Sequence, residues 1–488
     1  MTLSPKSRTK SETMKWKAML VFIVLLFWQS VYSQSITWQR TYYKNVQAIG
    51  NDLCQTTDGN FVVAGTTLVE NIGDGVFVMK INGLGDTLWT TIPIIVSWRS
   101  YEGLAVTSTP DGGVVIVGSG DSTFVVKINQ LGVTEWLNFY PPYTTLSFDI
   151  IGSRDGGFIA CGRTLYSGFI IKVNSTGGLL WQKIYPGNFR GFNAIDTALG
   201  NGYIITGESI SGAPRLLILK INEMGDSVFQ KTFLINNRGA VGVAVFNRGS
   251  NYLIAGSTTD VSNNEQMYIA SINEYGDTIS TNALEVGTYS EYIASMKVIS
   301  DNRYLLCYEK DTIGTTIGNA AAVIIDSNAN IIRKKVFTNS YFFWGALREV
   351  VSAGNGDLLF AGTAKMILNN ATVIYAVRTD SLLNTSSYIG INNISQTEPE
   401  NFQLFQNYPN PFNPSTKIRF QICGSSAAQT FLSVYDITGK EISLLVNADL
   451  KPGSYEVSFD ASGLSSGVYF YKISAGSFTD GKKMVLLK

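Results

Sequence analysis

A repeated pattern constrains the fold of this chain more than any other feature of its sequence. A turn residue is followed seven positions later by Gly, and a Lys is followed nine positions later by Trp. Seven copies align on these spacings, with periods of 44 to 54 residues, and the last two copies have drifted most. The turn pairs are Asp58/Gly65, Asp111/Gly118, Asp155/Gly162, Gly200/Gly207, Gly249/Gly256, Asp301/Tyr308 and Asn355/Gly362. The strand pairs are Lys80/Trp89, Lys127/Trp136, Lys172/Trp181, Lys220/Phe229, Ser271/Ser280, Ile324/Arg333 and Arg378/Ser387.

Each copy contains four short apolar segments separated by turn residues, a pattern typical of antiparallel β-strands. A four-stranded repeat of this length matches one blade of a β-propeller. The sequence therefore predicts an all-β fold in which residues 34–388 form a seven-bladed β-propeller. Stacking of each Trp between two blades accounts for the regular spacing from Lys to Trp.

The N-terminal segment Ile36–Tyr43, I-T-W-Q-R-T-Y-Y, has the pattern of a fourth strand with no blade before it. Its Trp38 precedes Asp58 by 20 residues, and the matching separation within the repeats is 19 to 22 residues. We expect this segment to complete blade seven, because that pairing joins the chain ends and removes open sheet edges. The alternative is that Leu382–Ile389 supplies the strand.

The spacings also distinguish the two faces of the predicted disc. The turns from first to second strand and from third to fourth strand have fixed lengths and share one face, which we call the turn face. The second-to-third loops vary in length and share the other face, the variable-loop face, with the connections between blades. Variable loops on a rigid scaffold are the usual place for binding residues.

Aromatic and basic residues in the blade-to-blade connections are the candidate binding residues. Such side chains can stack on sugar rings or anchor a protein partner, and they can equally pack between neighbouring blades. The candidates are Trp98, Arg99, Tyr140, Tyr143, Phe189, Arg190, Phe343 and Trp344.

The charged residues of the repeats are predicted to be structural. Asp-Gly and Gly-Gly pairs suit tight hairpins, and Gly or Asn replaces the turn Asp in other copies without supplying a carboxylate. The turn aspartates in question are Asp58, Asp111, Asp155, Asp86, Asp226 and Asp277. The anchor lysines are expected to lie on a solvated strand face.

Composition excludes several classes of function. There are 37 basic and 37 acidic residues, so the net charge of zero predicts no nucleic-acid, acidic-membrane or other polyanionic partner. The chain has no His, which removes Ser-His-Asp and Cys-His catalysis and the common zinc sites. Four widely spaced cysteines indicate buried thiols, and no metal or cofactor is expected; they are Cys54, Cys161, Cys307 and Cys423.

The N-terminus has the pattern of a secretory signal peptide, predicted to span residues 1–33. Lys15 and Lys17 precede an apolar run over residues 18–28 that is short for a membrane span. Ser33 suits cleavage before Gln34, and we expect no transmembrane segment in the mature chain. The start is either Met1 or Met14.

The composition and pattern of the sequence change after residue 388. A polar stretch over residues 389–401 is predicted to be a linker, and residues 402–488 contain alternating strands with Pro and Gly turns, enough for a small antiparallel sandwich. The stretch contains N-Y-P-N-P-F-N-P, Y-D-x-x-G-K, P-G-x-Y, S-G-V-Y-F-Y and a terminal K-K-M, in that order.

These motifs resemble the type A C-terminal sorting domain of the type IX secretion system of Bacteroidota. The resemblance implies an immunoglobulin-like β-sandwich, export through the periplasm, recognition by the outer-membrane translocon, and a final location in the medium or on the cell surface. The motif residues are Asn407, Tyr408, Pro409, Asn410, Pro411, Phe412, Asn413, Pro414, Tyr435, Asp436, Gly439, Gly467, Tyr469, Lys482 and Lys483.

Two hypotheses for the propeller follow from the sequence. The first is a secreted, non-catalytic module that binds a glycan or a protein through its variable-loop face. The alternative is a secreted hydrolase or lyase that acts on polysaccharide with carboxylates, since two carboxylates suffice for glycoside hydrolysis. No carboxylate pair is identifiable by spacing.

Overall fold

The structure is a computed structural model. It describes residues 37–42, 47–69, 73–96, 99–143, 146–165, 167–187, 189–210, 212, 214–259, 265–284, 291–300, 302–311, 318–337, 342–366, 371–385, 391–395, 399–424, 428–450, 452–461 and 464–487. The predicted signal peptide lies outside these ranges. Within them, no helix has both the length and the apolar character needed to cross a membrane.

The repeat region is built from antiparallel strands. In chain order they are β1 (Trp38–Tyr42), β2 (Gln47–Gln55), β3 (Phe61–Val69), β4 (Gly73–Ile81), β5 (Thr87–Ile95), β6 (Glu102–Ser108), β7 (Val114–Ser119), β8 (Ser122–Ile128), β9 (Thr134–Tyr143), β10 (Leu146–Gly152), β11 (Phe158–Arg163), β12 (Gly168–Val173), β13 (Leu179–Tyr185), β14 (Phe189–Thr197), β15 (Tyr203–Ser209), β16 (Arg215–Ile221), β17 (Ser227–Phe233), β18 (Ala240–Asn247), β19 (Tyr252–Thr259), β20 (Glu265–Ile272), β21 (Thr278–Leu284), β22 (Glu291–Ser300), β23 (Arg303–Asp311), β24 (Gly318–Asp326), β25 (Ile331–Val336), β26 (Phe342–Ser352), β27 (Leu358–Met366) and β28 (Thr372–Thr379).

These strands form a ring of four-stranded sheets. Among the described residues there are seven such sheets before residue 380, and six of them follow the chain order, from β2-β3-β4-β5 to β22-β23-β24-β25. The innermost strands β2, β6, β10, β14, β18, β22 and β26 each contact the next, and β26 contacts β2. The all-β class and the propeller arrangement are therefore confirmed, with one sheet for each copy of the repeat.

The N-terminal strand closes the ring. β1 pairs antiparallel with β28, so that the seventh sheet has the order β1-β28-β27-β26. The pairing runs from Trp38 opposite Arg378 to Tyr42 opposite Ile374. The expected closure by the N-terminal segment is confirmed, and residues 380–384 form a turn instead of the alternative fourth strand.

A β-bulge at one position of every innermost strand explains the anchor glycines. The bulged residues are Asn51, Leu104, Phe148, Asn193, Val243, Ala294 and Arg348. A bulge bends the strand locally, and here it brings a carbonyl against the second strand. A Cβ at Gly65 would lie 1.8 Å from Ile49 O, and one at Gly207 would lie 2.0 Å from Gly191 O. No side chain fits such a contact in these blades, whereas blade six has the same bulge at Ala294 and Tyr308 in place of the anchor Gly.

The third-to-fourth turns share one capping geometry in all seven copies. The side-chain oxygen of the first turn residue accepts hydrogen bonds from the backbone N–H groups two and four residues later, as an Asx turn does. The capping residues are Asn82, Asn129, Asn174, Asn222, Asn273, Asp326 and Asp380.

The first-turn aspartates and the anchor lysines pair with each other. Lys80 Nζ lies 2.7 Å from Asp58 Oδ2, and Lys172 Nζ lies 2.9 Å from Asp155 Oδ2. The turn role of the aspartates is supported by these contacts. The expectation of a solvated lysine face is wrong for Lys80 and Lys172, because their side chains are only 2% and 5% exposed. A paired carboxylate allows an ammonium to be buried.

Two junctions between neighbouring blades have a complete three-residue contact set, which we call the inter-blade clasp, and other junctions have parts of it. A Trp on the fourth strand donates to a carbonyl in the third-to-fourth turn of the next blade, the basic residue two positions later pairs with the turn Asp, and a Tyr two further on donates to the turn Gly carbonyl. Between blades three and four the contacts are Trp181 Nε1 to Glu223 O (3.1 Å), Lys183 Nζ to Asp226 Oδ1 (2.6 Å) and Tyr185 Oη to Gly225 O (2.6 Å).

The same clasp closes the ring at β1. Trp38, Arg40 and Tyr42 engage the turn 82–86 of blade one. The distances are 3.1 Å from Trp38 Nε1 to Gly83 O, 3.0 Å from Arg40 Nη1 to Asp86 Oδ1 and 2.8 Å from Tyr42 Oη to Gly85 O. The Trp stacking predicted from the spacing is thus part of a larger contact, and Asp86, Asp226 and Asp277 serve in it.

The C-terminal residues form two more four-stranded sheets. Their strands are β29 (Ile391–Ser395), β30 (Gln403–Leu404), β31 (Ser415–Ile422), β32 (Ala428–Tyr435), β33 (Glu441–Leu450), β34 (Gly453–Asp460), β35 (Gly467–Ala475) and β36 (Phe478–Leu486). The sheet orders are β29-β34-β31-β30 and β33-β32-β35-β36. Their inner faces share one apolar core, in which Ile418 and Val457 meet Leu432 and Tyr471.

Strand β29 lies inside the segment that the sequence predicts to be a linker, residues 389–401. Ile391 pairs with Val457 and Asn392 with Glu456. An edge strand needs only backbone hydrogen bonds, so a polar segment can supply one. The extent of the linker is corrected accordingly. Cys54, Cys161 and Cys307 are buried free thiols as expected, whereas Cys423 is only half-buried.

Candidate functional site

The two faces of the ring are made of different contacts. Because the strands in each sheet are antiparallel, the fixed-length turns share one face and the second-to-third loops share the other with the blade connections. On the turn face the polar side chains cap turns or join blades, and Gln130 Nε2 reaches Asp58 Oδ2 of the preceding blade at 3.2 Å. The candidate binding residues belong to the opposite face.

Tyr140 and Phe189 are packing residues. Tyr140 is 4% exposed and its hydroxyl donates to the Gly177 carbonyl, so it occupies the Tyr position of a clasp. Phe189 is 3% exposed and packs against Phe192, with ring centroids 5.6 Å apart. Of the two roles weighed for these residues, the structure favours packing between blades.

Arg99 is exposed at the connection between blades one and two. Its guanidinium pairs with Asp121, in the second-to-third loop of blade two, and both side chains are about half exposed. The Tyr101 hydroxyl lies 3.5 Å from the same carboxylate. The pair is open to solvent on the variable-loop face.

Trp344 lies at the start of β26 and is half-buried. Its Nε1 donates to Glu309, at the end of the second strand of blade six, so the contact crosses from blade seven to blade six. Trp98 lies outside the described residues, as do the side chains of Tyr143 and Phe343. Their predicted binding role stays a prediction.

Arg190 belongs to a charged cluster between blades three and four. Its side chain is 66% exposed, and its Nη1 lies 3.6 Å from Oε1 of Glu208, which is 7% exposed. Arg163 Nη1 donates to the Arg190 carbonyl at 2.9 Å, and its guanidinium lies 5.7 Å from the ring centroid of Phe148. We call Arg163, Arg190, Glu208 and Phe148 the blade 3–4 cluster.

Glu208 is the unusual member of this cluster. Its buried Oε1 has no hydrogen-bond partner among the described residues, and the nearest cation is beyond hydrogen-bond distance. Burial raises the pKa of Glu208, although Arg190 and Arg163 oppose the shift. A buried carboxylate oxygen without a donor is rare in proteins and calls for an explanation.

A sequence signal for the charged residues of this face exists at the position after each anchor Gly or its substitute. Four copies have Thr66, Ser119, Ser257 and Thr363 there; the other three have Arg163, Glu208 and Glu309. Three of the hydroxyl residues serve the scaffold. Gly50 N donates to Thr363 Oγ1 at 3.2 Å, Ser147 N donates to Ser119 Oγ at 3.2 Å, and Asn51 Nδ2 approaches Thr66 Oγ1 at 3.4 Å. Arg163, Glu208 and Glu309 therefore depart from the Ser or Thr that the other copies have at this position.

Carboxylates also lie within three residues after the bulges of the innermost strands. Each of three aspartates accepts one hydrogen bond from the residue after it and one from a backbone N–H of the next blade. The second contacts are Asp52 to Val106 (2.6 Å), Asp149 to Ile195 (2.9 Å) and Asp196 to Asn247 (2.8 Å). They join neighbouring innermost strands.

Burial shifts the titration of these acids. It raises the pKa of Asp149 to about 6 and that of Glu349 to about 7, in each case against hydrogen bonds that favour the charged form. Burial and the neighbouring Glu349 raise the pKa of Asp52 well above its usual range. Among the described residues, no group of three or more acidic or Cys side chains is placed to hold a metal ion.

The sorting motifs, at opposite ends of the C-terminal domain, meet in the structure. Phe412 N donates to Val485 O, and Leu487 N donates to Phe412 O, both at 3.0 Å. Asn410 Oδ1 accepts from Val485 N at 2.9 Å. Residues 407–414 therefore lie along the terminal strand that carries Lys482 and Lys483.

Within this region some motif residues are buried and others exposed. Asn407 is 2% exposed, and its Nδ2 donates to Thr416 Oγ1 at 2.9 Å and to Pro409 O at 3.0 Å. Phe412 is also 2% exposed, whereas Tyr408 is 81% exposed. Pro409, Asn410, Pro411, Asn413 and Lys483 are exposed as well, and Pro414 and Lys482 are half-buried.

The other motif residues serve turns and strand ends. Asp436 Oδ1 accepts from Thr438 N at 2.8 Å and from Lys440 N at 3.0 Å, and Gly439 has a φ of 81°. Tyr469 Oη donates to Ser465 O at 2.7 Å. Tyr435 ends β32 and Gly467 begins β35.

Residues 406–487 match the family described as the secretion system C-terminal sorting domain. The resemblance found in the sequence is thereby confirmed: the chain is a propeller fused to a type IX sorting domain. This domain implies handling by the type IX secretion system and a destination in the medium or on the outer surface.

No curated protein matches the chain. Among solved structures it is similar to the β-propeller domain of the Trilobed protease from Pyrococcus furiosus, with 8% identity, a TM-score of 0.41 and coverage of 68% of this chain and 95% of that one. It is also similar to a protein of unknown function from Bacteroides caccae, with 14% identity, a TM-score of 0.39 and coverage of 56% and 94%. Similarity at this level carries no argument about function.

Proposed function

We propose that this chain is a type IX cargo whose propeller binds a glycan or a protein outside the cell, without catalysis, through its variable-loop face. The observation that carries the proposal is the replacement of Ser or Thr by Arg163, Glu208 and Glu309 after the anchor residue. These charges lie on the variable-loop face, while the regular charged residues of the repeat are used to hold turns and blades together.

The route of export is part of the proposal. Residues 1–33 direct the chain into the periplasm, and the C-terminal domain then engages the outer-membrane translocon. Deletion of residues 402–488 should leave the protein in the periplasm, as measured by cell fractionation and immunoblotting. Normal amounts of the truncated protein in the medium or on the surface would refute the sorting role.

The binding role is tested with the exported, full-length protein on arrays of glycans and of extracellular proteins. Saturable binding to a defined group of glycans or to a protein supports the proposal. Absence of binding on both arrays would overturn it and leave a structural role.

A specific observation favours the alternative, a carboxylate-dependent hydrolase or lyase that acts on polysaccharide. Glu349 has a pKa near neutrality and interacts with Asp52, as a general acid beside a second carboxylate does. Release of reducing ends or unsaturated products by the wild type, lost in Glu349→Gln, would establish this function. Equal product release by both proteins would exclude Glu349 from it.

A further inference from the structure

The blade 3–4 cluster stands apart from the rest of the variable-loop face in its charge. Among the described residues of this face in blades three and four, the basic residues are Arg163, Arg190, Arg215 and Arg238, and Glu208 is the only acid outside the innermost strands. The neutral net charge of the whole chain conceals this local excess of positive charge.

The arginines of the cluster are accessible and only partly engaged. The guanidinium of Arg190 is mostly exposed, and its one charged contact in the described part of the chain, to Glu208, is long at 3.6 Å. Arg163 uses one nitrogen for the Arg190 carbonyl and lies over the Phe148 ring. Donors on both guanidinium groups therefore remain for a ligand, and a guanidinium binds a carboxylate through two parallel hydrogen bonds.

Glu208 adds an acceptor to the donors of the two arginines. Its buried Oε1 accepts no hydrogen bond from the described part of the chain. Because this oxygen is shielded from solvent, a ligand reaches it only when the neighbouring exposed Arg190 side chain moves towards the ligand, and the ligand must then bring a donor, such as a sugar hydroxyl. The carboxylate also lowers the net charge of the site to one positive unit, because two arginines face one glutamate, and this suits a singly charged ligand better than a densely sulfated one.

We infer that the blade 3–4 cluster binds a uronic acid residue of a saccharide, with the sugar carboxylate on Arg163 and Arg190 and a sugar hydroxyl donated to Glu208. The inference rests on the proposed binding function and names its ligand class. Phe148, half-buried beside Arg163, offers an apolar surface for the sugar ring.

The test uses the exported, full-length protein and three probes: galacturonic acid oligomers, neutral galactose oligomers of the same length, and sulfated dextran. We expect saturable binding of the galacturonic acid oligomers. The affinity for the neutral oligomers should be at least tenfold weaker. Equal affinity for the neutral oligomers, or a preference for sulfated dextran, would overturn the inference.

Two substitutions make the assignment specific. Arg190→Gln should weaken binding of galacturonic acid oligomers at least tenfold, whereas Arg303→Gln, which makes the same charge change at an exposed arginine on the turn face, should leave it within twofold. Equal effects of the two variants would show that only overall charge matters.

Glu208→Ala separates a sugar site from a simple anion site. Removal of a negative charge should strengthen binding to a simple anion site, but in a uronic acid site it removes the hydroxyl acceptor and should weaken binding several-fold. Stronger binding by Glu208→Ala would overturn the inference. Far-ultraviolet circular dichroism and the urea midpoint of each variant, matched to the wild type, exclude loss of folding as the cause.

The outcome distinguishes this inference from the proposed function. Binding of neutral glycans or of a protein that Arg190→Gln does not change would refute the uronic acid site and still support the binding function. If no glycan and no protein on the arrays binds, both the uronic acid site and the binding function are refuted.

Discussion

Truncation of Trp38 tests whether the clasp on β1 holds the ring closed. Its ring is 8% exposed, packs on the turn glycine Gly85 and donates to Gly83 O at 3.1 Å. Replacement of a buried Trp by Ala costs about 3–5 kcal/mol, a large part of the roughly 5–15 kcal/mol that stabilises a folded domain. We therefore expect Trp38→Ala to lower the urea midpoint strongly.

The matched control is Trp89→Ala. Trp89 occupies the same clasp position between blades one and two, donating to Gln130 O at 2.9 Å, but its ring is only half-buried and its strand is held by the chain on both sides. Trp89→Ala should lower the free energy of unfolding by about 1–2 kcal/mol, because less buried apolar surface is lost than in Trp38→Ala.

Hydrogen exchange distinguishes local opening from general destabilisation. If the clasp holds β1, Trp38→Ala should release β1 and raise exchange of the β28 amides that pair with it, from Ile374 to Arg378. In Trp89→Ala these amides should stay protected. A Trp38→Ala variant that leaves β28 protected and has the same urea midpoint as Trp89→Ala would refute a closing role for the Trp38 contact.

Three further substitutions test the internal structure of the blades. A folded-state pKa of Glu349 near 7, above its ordinary value, means that the contribution of this group to stability is greatest below its ordinary pKa and is lost as the pH rises to 7. Glu349→Gln should remove the share of this dependence that Glu349 contributes and stabilise the protein at pH 8 by about 2 kcal/mol after allowance for partial solvent access. The urea midpoint of the variant should fall less between pH 5 and pH 8 than that of the wild type, and the remaining fall is due to Asp52 and Asp149. Gly207→Ala places a Cβ 2.0 Å from Gly191 O and should cost about 3 kcal/mol or prevent folding, whereas Gly152→Ala, with open space around the new Cβ, should change the melting temperature little. Lys127 and Thr109 lower the pKa of Asp111 to about 2, so Asp111→Asn should destabilise the protein at pH 7 by less than about 1 kcal/mol, and wild type and variant should converge below pH 2.

Much of the architecture is predictable from the sequence because the same turns, bulges and contacts recur from blade to blade. The anchor Gly marks the bulge, the capping Asn or Asp marks the third-to-fourth turn, and Trp marks the clasp. The fixed spacing of Trp38 to Asp58 was enough to predict which strand closes the ring. Such regular signals report local geometry that recurs in all copies.

The candidate site was harder to predict because it depends on contacts between blades that spacing does not reveal. Tyr140 and Phe189 have the composition of binding residues, yet both are buried between blades. Arg163 and Glu208 are 45 residues apart, and only the curvature of the ring brings them together. Polar β29 likewise gave no alternating apolar signal, since an edge strand is held by its backbone.

Hydrogen exchange of the exported protein, with and without the strongest ligand found on the arrays, tests most directly whether function lies on the variable-loop face. We expect new protection at residues 163–165, 189–191 and 208–210, with the turns at 56–60 and 82–86 unchanged. Protection confined to those turns would contradict this expectation.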